Sequence, residues 1–117
     1  MSFNPRIPMR PGGDVPEVGP AEAERLVKEE NALIVDVREP YEWAEGHIPG
    51  AVHVPLGSLL SRAKELPRDR PLVMQCHLGY RSLQAAMALR QLGFTDVRNL
   101  LGGIAAWEQE GLPLTTP

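Results

Sequence analysis

Residues Cys76-His77-Leu78-Gly79-Tyr80-Arg81-Ser82 concentrate the chemistry of this chain. Its single cysteine stands directly after an apolar run, Pro71 to Gln75, and directly before an amphipathic stretch. A short loop between a buried strand and a helix can curl so that several backbone N–H groups point inward. Gly79 permits a positive φ inside the curl, and the helix that follows adds its positive N-terminal end. The expected product is an anion-binding cup with Cys76 at its base. N–H donors, a helix N-terminus and the Arg81 cation all favour the thiolate, so the Cys76 pKa is expected to fall. The same donors suit a persulfide anion on that sulfur, stabilised by preorganised dipoles rather than by a metal.

Four residues separate Cys76 from Arg81. Cysteine-dependent phosphatases use a comparable strand–loop–helix cup with one residue more, so the loop here makes a tighter cup. A tighter cup suits one extra sulfur atom better than a phosphate with its oxygens. Cys76 and His77 could form a nucleophile–base pair, but neighbours in a tight loop usually point apart. Asp36 ends another apolar run. It either satisfies backbone donors or orients Arg81 or the loop from behind. Arg38 is either the partner of an acid or a rim charge that attracts anionic donors. Glu39 and Glu42 read as polar residues of a helical turn. His47, His53, Trp43 and Trp107 read as packing residues, with Trp107 able to cover a wall of the site. One Cys and three His without paired spacing predict no metal site, and no cofactor is expected.

Positioning this loop requires strands that end at Asp36 and at Cys76. Ala32 to Val37 and Pro71 to Gln75 are continuous apolar runs, too short for helices, and predict strands buried on both faces. Val15 to Val18, Ala51 to Val54 and Val97 to Leu100 predict three shorter strands. Apolar spacing predicts helices over 20–30, 56–63, 81–92 and 104–110, with Pro20 at a helix start and Gly93 and Gly111 at helix ends. Residues 38–50 predict a loop with one helical turn, and Gly102-Gly103 a turn or a close backbone approach. Alternating strands and helices with apolar strands argue for an α/β fold, a parallel sheet flanked by helices on both faces. In such sheets ligands bind beyond the carboxyl ends of the strands, where Asp36 and Cys76 both lie.

The loop resembles the Cys-x-x-Gly-x-Arg-Ser active-site loop of rhodaneses. Asp36-Val37-Arg38-Glu39-Pro40-Tyr41-Glu42-Trp43, followed by Gly46-His47-Ile48-Pro49-Gly50-Ala51, is similar to the segment upstream of their cysteine. Leu101-Gly102-Gly103-Ile104-Ala105-Ala106-Trp107 is similar to their C-terminal Gly-Gly-x-x-x-Trp motif. The motifs stand in family order and the likeness covers roughly residues 15–113. The resemblance implies a rhodanese-like, five-stranded parallel sheet and a double displacement. Cys76 takes the outer sulfur of a donor such as thiosulfate, holds it as a persulfide, and yields it to cyanide, a thiol or a protein. It also implies a site made of Cys76 with His77, Leu78, Gly79, Tyr80, Arg81 and Ser82, supported by Asp36 and Arg38. Rhodaneses efficient with thiosulfate often carry a basic residue after the cysteine; here that position is His77.

Composition sets the frame. A chain of 117 residues suggests one domain, here a Pro/Gly-rich arm over 1–14 and a single domain over 15–117. A formal charge of −3, with basic residues spread along the chain, speaks against nucleic acid. The absence of a long apolar run speaks against a membrane span. One cysteine fits a reducing, cytoplasmic compartment. The expected partners are a small-molecule sulfur donor and acceptor, or a protein of a sulfur relay. Two other classes compete: a regulatory or carrier module that accepts sulfur from a partner, and a small phosphatase or arsenate reductase, against which the Cys–Arg spacing counts.

Overall fold

The computed structural model describes residues 14–117; apart from Asp14, the expected arm lies outside them. Ten elements alternate along the chain: β1 (Glu17–Val18), α1 (Pro20–Glu30), β2 (Leu33–Asp36), α2 (Pro40–Glu45), β3 (Val52–His53), α3 (Leu59–Arg62), β4 (Leu72–Gln75), α4 (Tyr80–Gln91), β5 (Val97–Leu100) and α5 (Gly103–Gln109). The five strands form one sheet in the order β1-β5-β4-β2-β3, and every pairing is parallel.

The sheet is covered on both faces, and the alternation of side chains along each strand decides which residue goes where. In β4, Leu72 and Met74 pack with Leu59, Ala85, Ala86 and Leu89, the face that α3 and α4 cover. Val73 points the other way, onto Ala23, Leu26, Ile104 and Trp107 of α1 and α5. Leu26, Leu89 and Leu100 are fully buried, each worth about 1.5–3 kcal/mol of transfer free energy. Cys76 continues the alternation and falls on the α4 face.

Chain order reverses between the two central strands. From β2 the chain moves outward to β3, and from β4 it moves outward to β5 on the opposite side. The crevice at such a switch point is where open α/β sheets bind ligands. Asp36 and Gln75 pair across it, so Cys76 emerges there.

Several expected elements differ in extent. The loop over 38–50 contains a six-residue helix, α2, begun by Pro40 at its first position. The single helix expected over 56–63 is split into a 3₁₀ turn (Leu56–Ser58), the four-residue α3 and a second 3₁₀ turn (Ala63–Glu65). Between Pro55 and Pro67 short helical turns thus replace one continuous amphipathic helix. Gly102-Gly103 joins a turn to a close backbone approach, the two roles expected of it. Gly102 precedes α5 at φ 77° and Gly103 is its first residue at φ 63°.

Gly103 is required twice over. Its φ is left-handed, and a Cβ there would collide with the carbonyls of His77 and Cys76. That approach lets Ile104 N–H donate to Cys76 O at 2.9 Å and Ala105 N–H to His77 O at 3.1 Å. Gly103→Ala is expected to lower unfolding free energy by at least about 2 kcal/mol in urea titrations. Gly111→Ala is the comparison: its φ of 76° is similar but a Cβ would meet nothing within 4 Å, so its cost should be clearly smaller. Equal costs would assign the effect to backbone strain alone.

Candidate active site

The Cys76 side chain is buried at the base of the loop that joins β4 to α4. Its sulfur accepts from Gly79 N–H at 3.1 Å and Ser82 N–H at 3.3 Å, with the Ser82 hydroxyl also at 3.3 Å. The local cause is the cap of α4. Gly79 occupies the N-cap position at φ 106° and has no side chain to accept from the first turn. Cys76 Sγ takes that role for the N–H of Ser82, the third helical residue, where a serine or aspartate oxygen would normally sit.

Burial alone would push the thiol up. The Ser82 hydroxyl, the Ser82 N–H, and the N–H groups of Gly79 and Leu78 outweigh it and hold the Cys76 pKa below its ordinary value. Arg81 contributes differently from expectation. Both of its terminal nitrogens are taken by Glu42, at 2.8 and 3.0 Å, so it braces the loop against α2 rather than donating to the sulfur.

Arg81 thus uses Glu42, not Asp36, as its carboxylate partner. Asp36 is engaged two residues along its own chain. Arg38 forks onto it with Nε at 3.0 Å and Nη2 at 2.8 Å, and Arg38 N–H adds a bond at 2.9 Å. Arg38 Nη2 also donates to Gly46 O at 2.7 Å, tying the end of α2 to β2. Of the two readings of Arg38, the acid's partner is the one observed. Glu42 does more than decorate a turn. It accepts from Glu39 N–H at 2.9 Å, half of a capping box at the start of α2.

His77 is exposed at the mouth, and its ring makes no hydrogen bond to Cys76. Leu78 and Tyr80 are exposed rim residues lining the small cavity over Cys76, together with His77 and Arg81. Trp43 is sandwiched, with the His47 ring 3.5 Å and the His53 ring 4.8 Å from it, and Trp107 is buried behind the sheet. Among the described residues no group of three or more His, Cys, Asp or Glu is placed to hold a metal ion.

One supporting residue escaped the sequence reading. Asn99 in β5 accepts from the Ser82 hydroxyl at 2.6 Å and donates to Gly79 O at 3.0 Å and to Glu17 at 2.9 Å. It links β1 and β5 to the α4 end of the loop. The available signal was an amide between the apolar ends of a short strand, Val97 and Leu100, which must find partners when buried.

Residues 19–110 match the rhodanese-like domain family. The chain belongs to the rhodanese family. It is 44% identical over 95 residues to a sulfurtransferase of Allochromatium vinosum, covering 81% of this chain and 89% of that protein. It is 38% identical over 88 residues to the thiosulfate sulfurtransferase GlpE of Pseudomonas syringae pv. syringae, covering 75% of this chain and 83% of that protein. A rhodanese-related protein from Thermoplasma volcanium, solved by crystallography, superposes with a TM-score of 0.81 at 31% identity, covering 87% of this chain and 99% of that one. Membership and these relatives support a sulfurtransferase or sulfur-carrier role for this rhodanese. No helix among the described residues is long and apolar enough to cross a membrane.

Ser82→Ala removes the hydroxyl beside the sulfur, whose one proton is shared between Sγ and Asn99 Oδ1. The pH at which Cys76 reacts half-maximally with iodoacetamide is expected to rise by about one pH unit; an unchanged profile would leave the backbone N–H groups as the whole cause. The Arg81 guanidinium, first, and the Glu39 N–H hold the Glu42 carboxyl at about 2 against burial, which raises it, compared with an ordinary 4.5. Because the folded pKa is depressed, the stability it contributes is present above about pH 4.5 and is lost as pH falls toward about 2. Urea midpoints of Glu42→Gln measured across that window are expected to vary less with pH than those of the unmodified rhodanese.

Proposed function

We propose that this rhodanese transfers sulfane sulfur through a persulfide on Cys76. The observation that carries the reading is the convergence of the Gly79 and Ser82 N–H groups on a buried Sγ, with the Ser82 hydroxyl beside them, its one proton shared between Sγ and Asn99 Oδ1. Donors aimed at one sulfur favour a nucleophilic thiolate before the reaction and an anionic persulfide after it.

In the first half-reaction the Cys76 thiolate attacks the outer sulfur of a donor such as thiosulfate. The new S–S bond forms on Cys76, the sulfur–sulfur bond of the donor breaks, and sulfite leaves with the bonding pair. In the second, a thiophile attacks the outer sulfur of the persulfide and Cys76 leaves as the thiolate. Cyanide would depart as thiocyanate and a thiol as its persulfide. Each half-reaction exchanges one nucleophile for one leaving group, so no metal or external electron carrier enters the balance, and ping-pong kinetics follow. Arg81, locked to Glu42, holds the loop in its curled form, and Asn99 fixes Gly79 and Ser82 beneath it.

Incubation with thiosulfate followed by intact-mass measurement tests this. The expected result is a gain of one sulfur atom on the native chain, absent in Cys76→Ser and removed by cyanide. If neither thiosulfate nor a small persulfide donor loads Cys76, the reading is overturned.

A further inference from the structure

The surface around Cys76 carries features that a reaction with small anions does not use. The small cavity over the sulfur, about 130 Å³, lies between two larger clefts of about 370 Å³ each. It shares His77 with one cleft and Leu78 and Tyr80 with the other, so the three form one groove across the loop.

The charge along this groove runs against a dianion. Arg81 and Arg38, the two arginines at the site, are both held by carboxylates, Glu42 and Asp36. Glu45 and Glu108 line the first cleft, are exposed, and make no ion pair or hydrogen bond with another described residue. Glu17 lines the other cleft, where its carboxylate receives one amide hydrogen bond from Asn99. Unpaired carboxylates at a groove mouth raise the local concentration of cations and repel anions.

Large, exposed aromatic and aliphatic side chains also line the groove. Tyr80 is 79% exposed, Tyr41 68%, Leu101 55% and Leu78 54%, and all four line it. Large apolar side chains gathered around a nucleophile and bordered by carboxylates mark a contact surface for a polypeptide. A small thiol would touch the central cavity and leave both clefts empty.

We propose that this groove receives the sulfur acceptor as an extended protein segment whose cysteine is flanked by basic and apolar residues. The inference rests on the Cys76 persulfide of the proposed function and names the class of acceptor for it. The basic side chain meets Glu45 and Glu108, and the apolar side chain lies against Leu78, Tyr80 and Leu101. The acceptor thiolate attacks the outer sulfur of the Cys76 persulfide. The bond from that sulfur to Sγ breaks with its electron pair returning to Cys76, and the acceptor leaves as a protein persulfide. No oxidant or reductant is consumed.

Synthetic peptides with one central cysteine test the surface. One carries a lysine and a leucine on each side of the cysteine, a second has glutamate for each lysine, and a third has serine for each leucine. The full chain is first loaded with sulfur, and loading and discharge by cyanide are verified on the same preparation; failure there overturns the proposed function itself. With loading intact, the lysine–leucine peptide is expected to discharge Cys76 about five-fold faster than the glutamate peptide at low ionic strength, at a pH where equal fractions of the peptide thiols are ionised. Added salt should narrow the ratio, and Glu45→Lys/Glu108→Lys should reverse it. The ratio compares two peptides on one protein, so a partly misfolded variant still reports. Equal rates for the lysine and glutamate peptides, a ratio unmoved by the double variant, or a serine peptide as fast as the lysine–leucine peptide would overturn the proposal.

Discussion

The first turn of α4 has N–H groups that need an acceptor, and Cys76 Sγ supplies it. A helix N-terminus leaves several donors without intrahelical partners, and a polar side chain at the N-cap normally satisfies one. Here the N-cap is Gly79, which offers nothing, and the sulfur lies where the cap oxygen would be. Stabilising the helix and stabilising a thiolate are therefore the same interaction. The loop that satisfies the first turn of α4 is also the loop that lowers the pKa of its nucleophile.

That arrangement depends on holding the loop from three sides. Below it, α5 brings Ile104 and Ala105 N–H groups onto the carbonyls of Cys76 and His77, a contact close enough to require Gly103. Turning those carbonyls toward α5 leaves the N–H groups of the following residues free to face the sulfur. Beside it, Asn99 binds Gly79 O and the Ser82 hydroxyl. Across the mouth, Glu42 clamps Arg81 from α2. Each support comes from a different element, so the cup forms only when the sheet and both helical layers are assembled. The same clamp neutralises the loop's own arginine, which leaves the outer surface governed by Glu45, Glu108 and exposed aromatic and aliphatic side chains.

The parallel sheet and the placement of Cys76 at the carboxyl end of a buried strand were legible in the chain, whereas the strand order, and so the switch point, came from the fold. Apolar runs such as Leu72 to Gln75 can only be strands buried on both faces, and a cysteine that ends one must emerge at a carboxyl edge. The curl of the loop followed from Gly79, and the low thiol pKa followed from the helix after it. The lengths of the short elements were less legible. Between Pro55 and Pro67 the apolar spacing is helical, yet the span is divided into a 3₁₀ turn, one short α-helix and a second 3₁₀ turn. Around Pro40 the sequence showed one helical turn but not the six-residue length of α2, which buries no residue fully and leaves no periodic apolar signature.

Partnership among charged groups was decided by tertiary structure alone. Asp36, Arg38, Glu42 and Arg81 are all visible as charges near the site, but their pairing is not a property of spacing. Arg38 reaches Asp36 because the chain turns sharply after β2, and Arg81 reaches Glu42 because α2 packs over the α4 N-terminus, 39 residues away in sequence. Asn99 likewise has no local reason to matter until β5 is placed beside β4. The sequence by itself determined the nucleophile, its anion-binding loop and the parallel sheet, since these follow from local sterics and apolar periodicity. Which carboxylate holds which cation, and so which charges remain exposed at the mouth, was left to the folded chain, because an ion pair is set by distance in space and not by separation along the backbone.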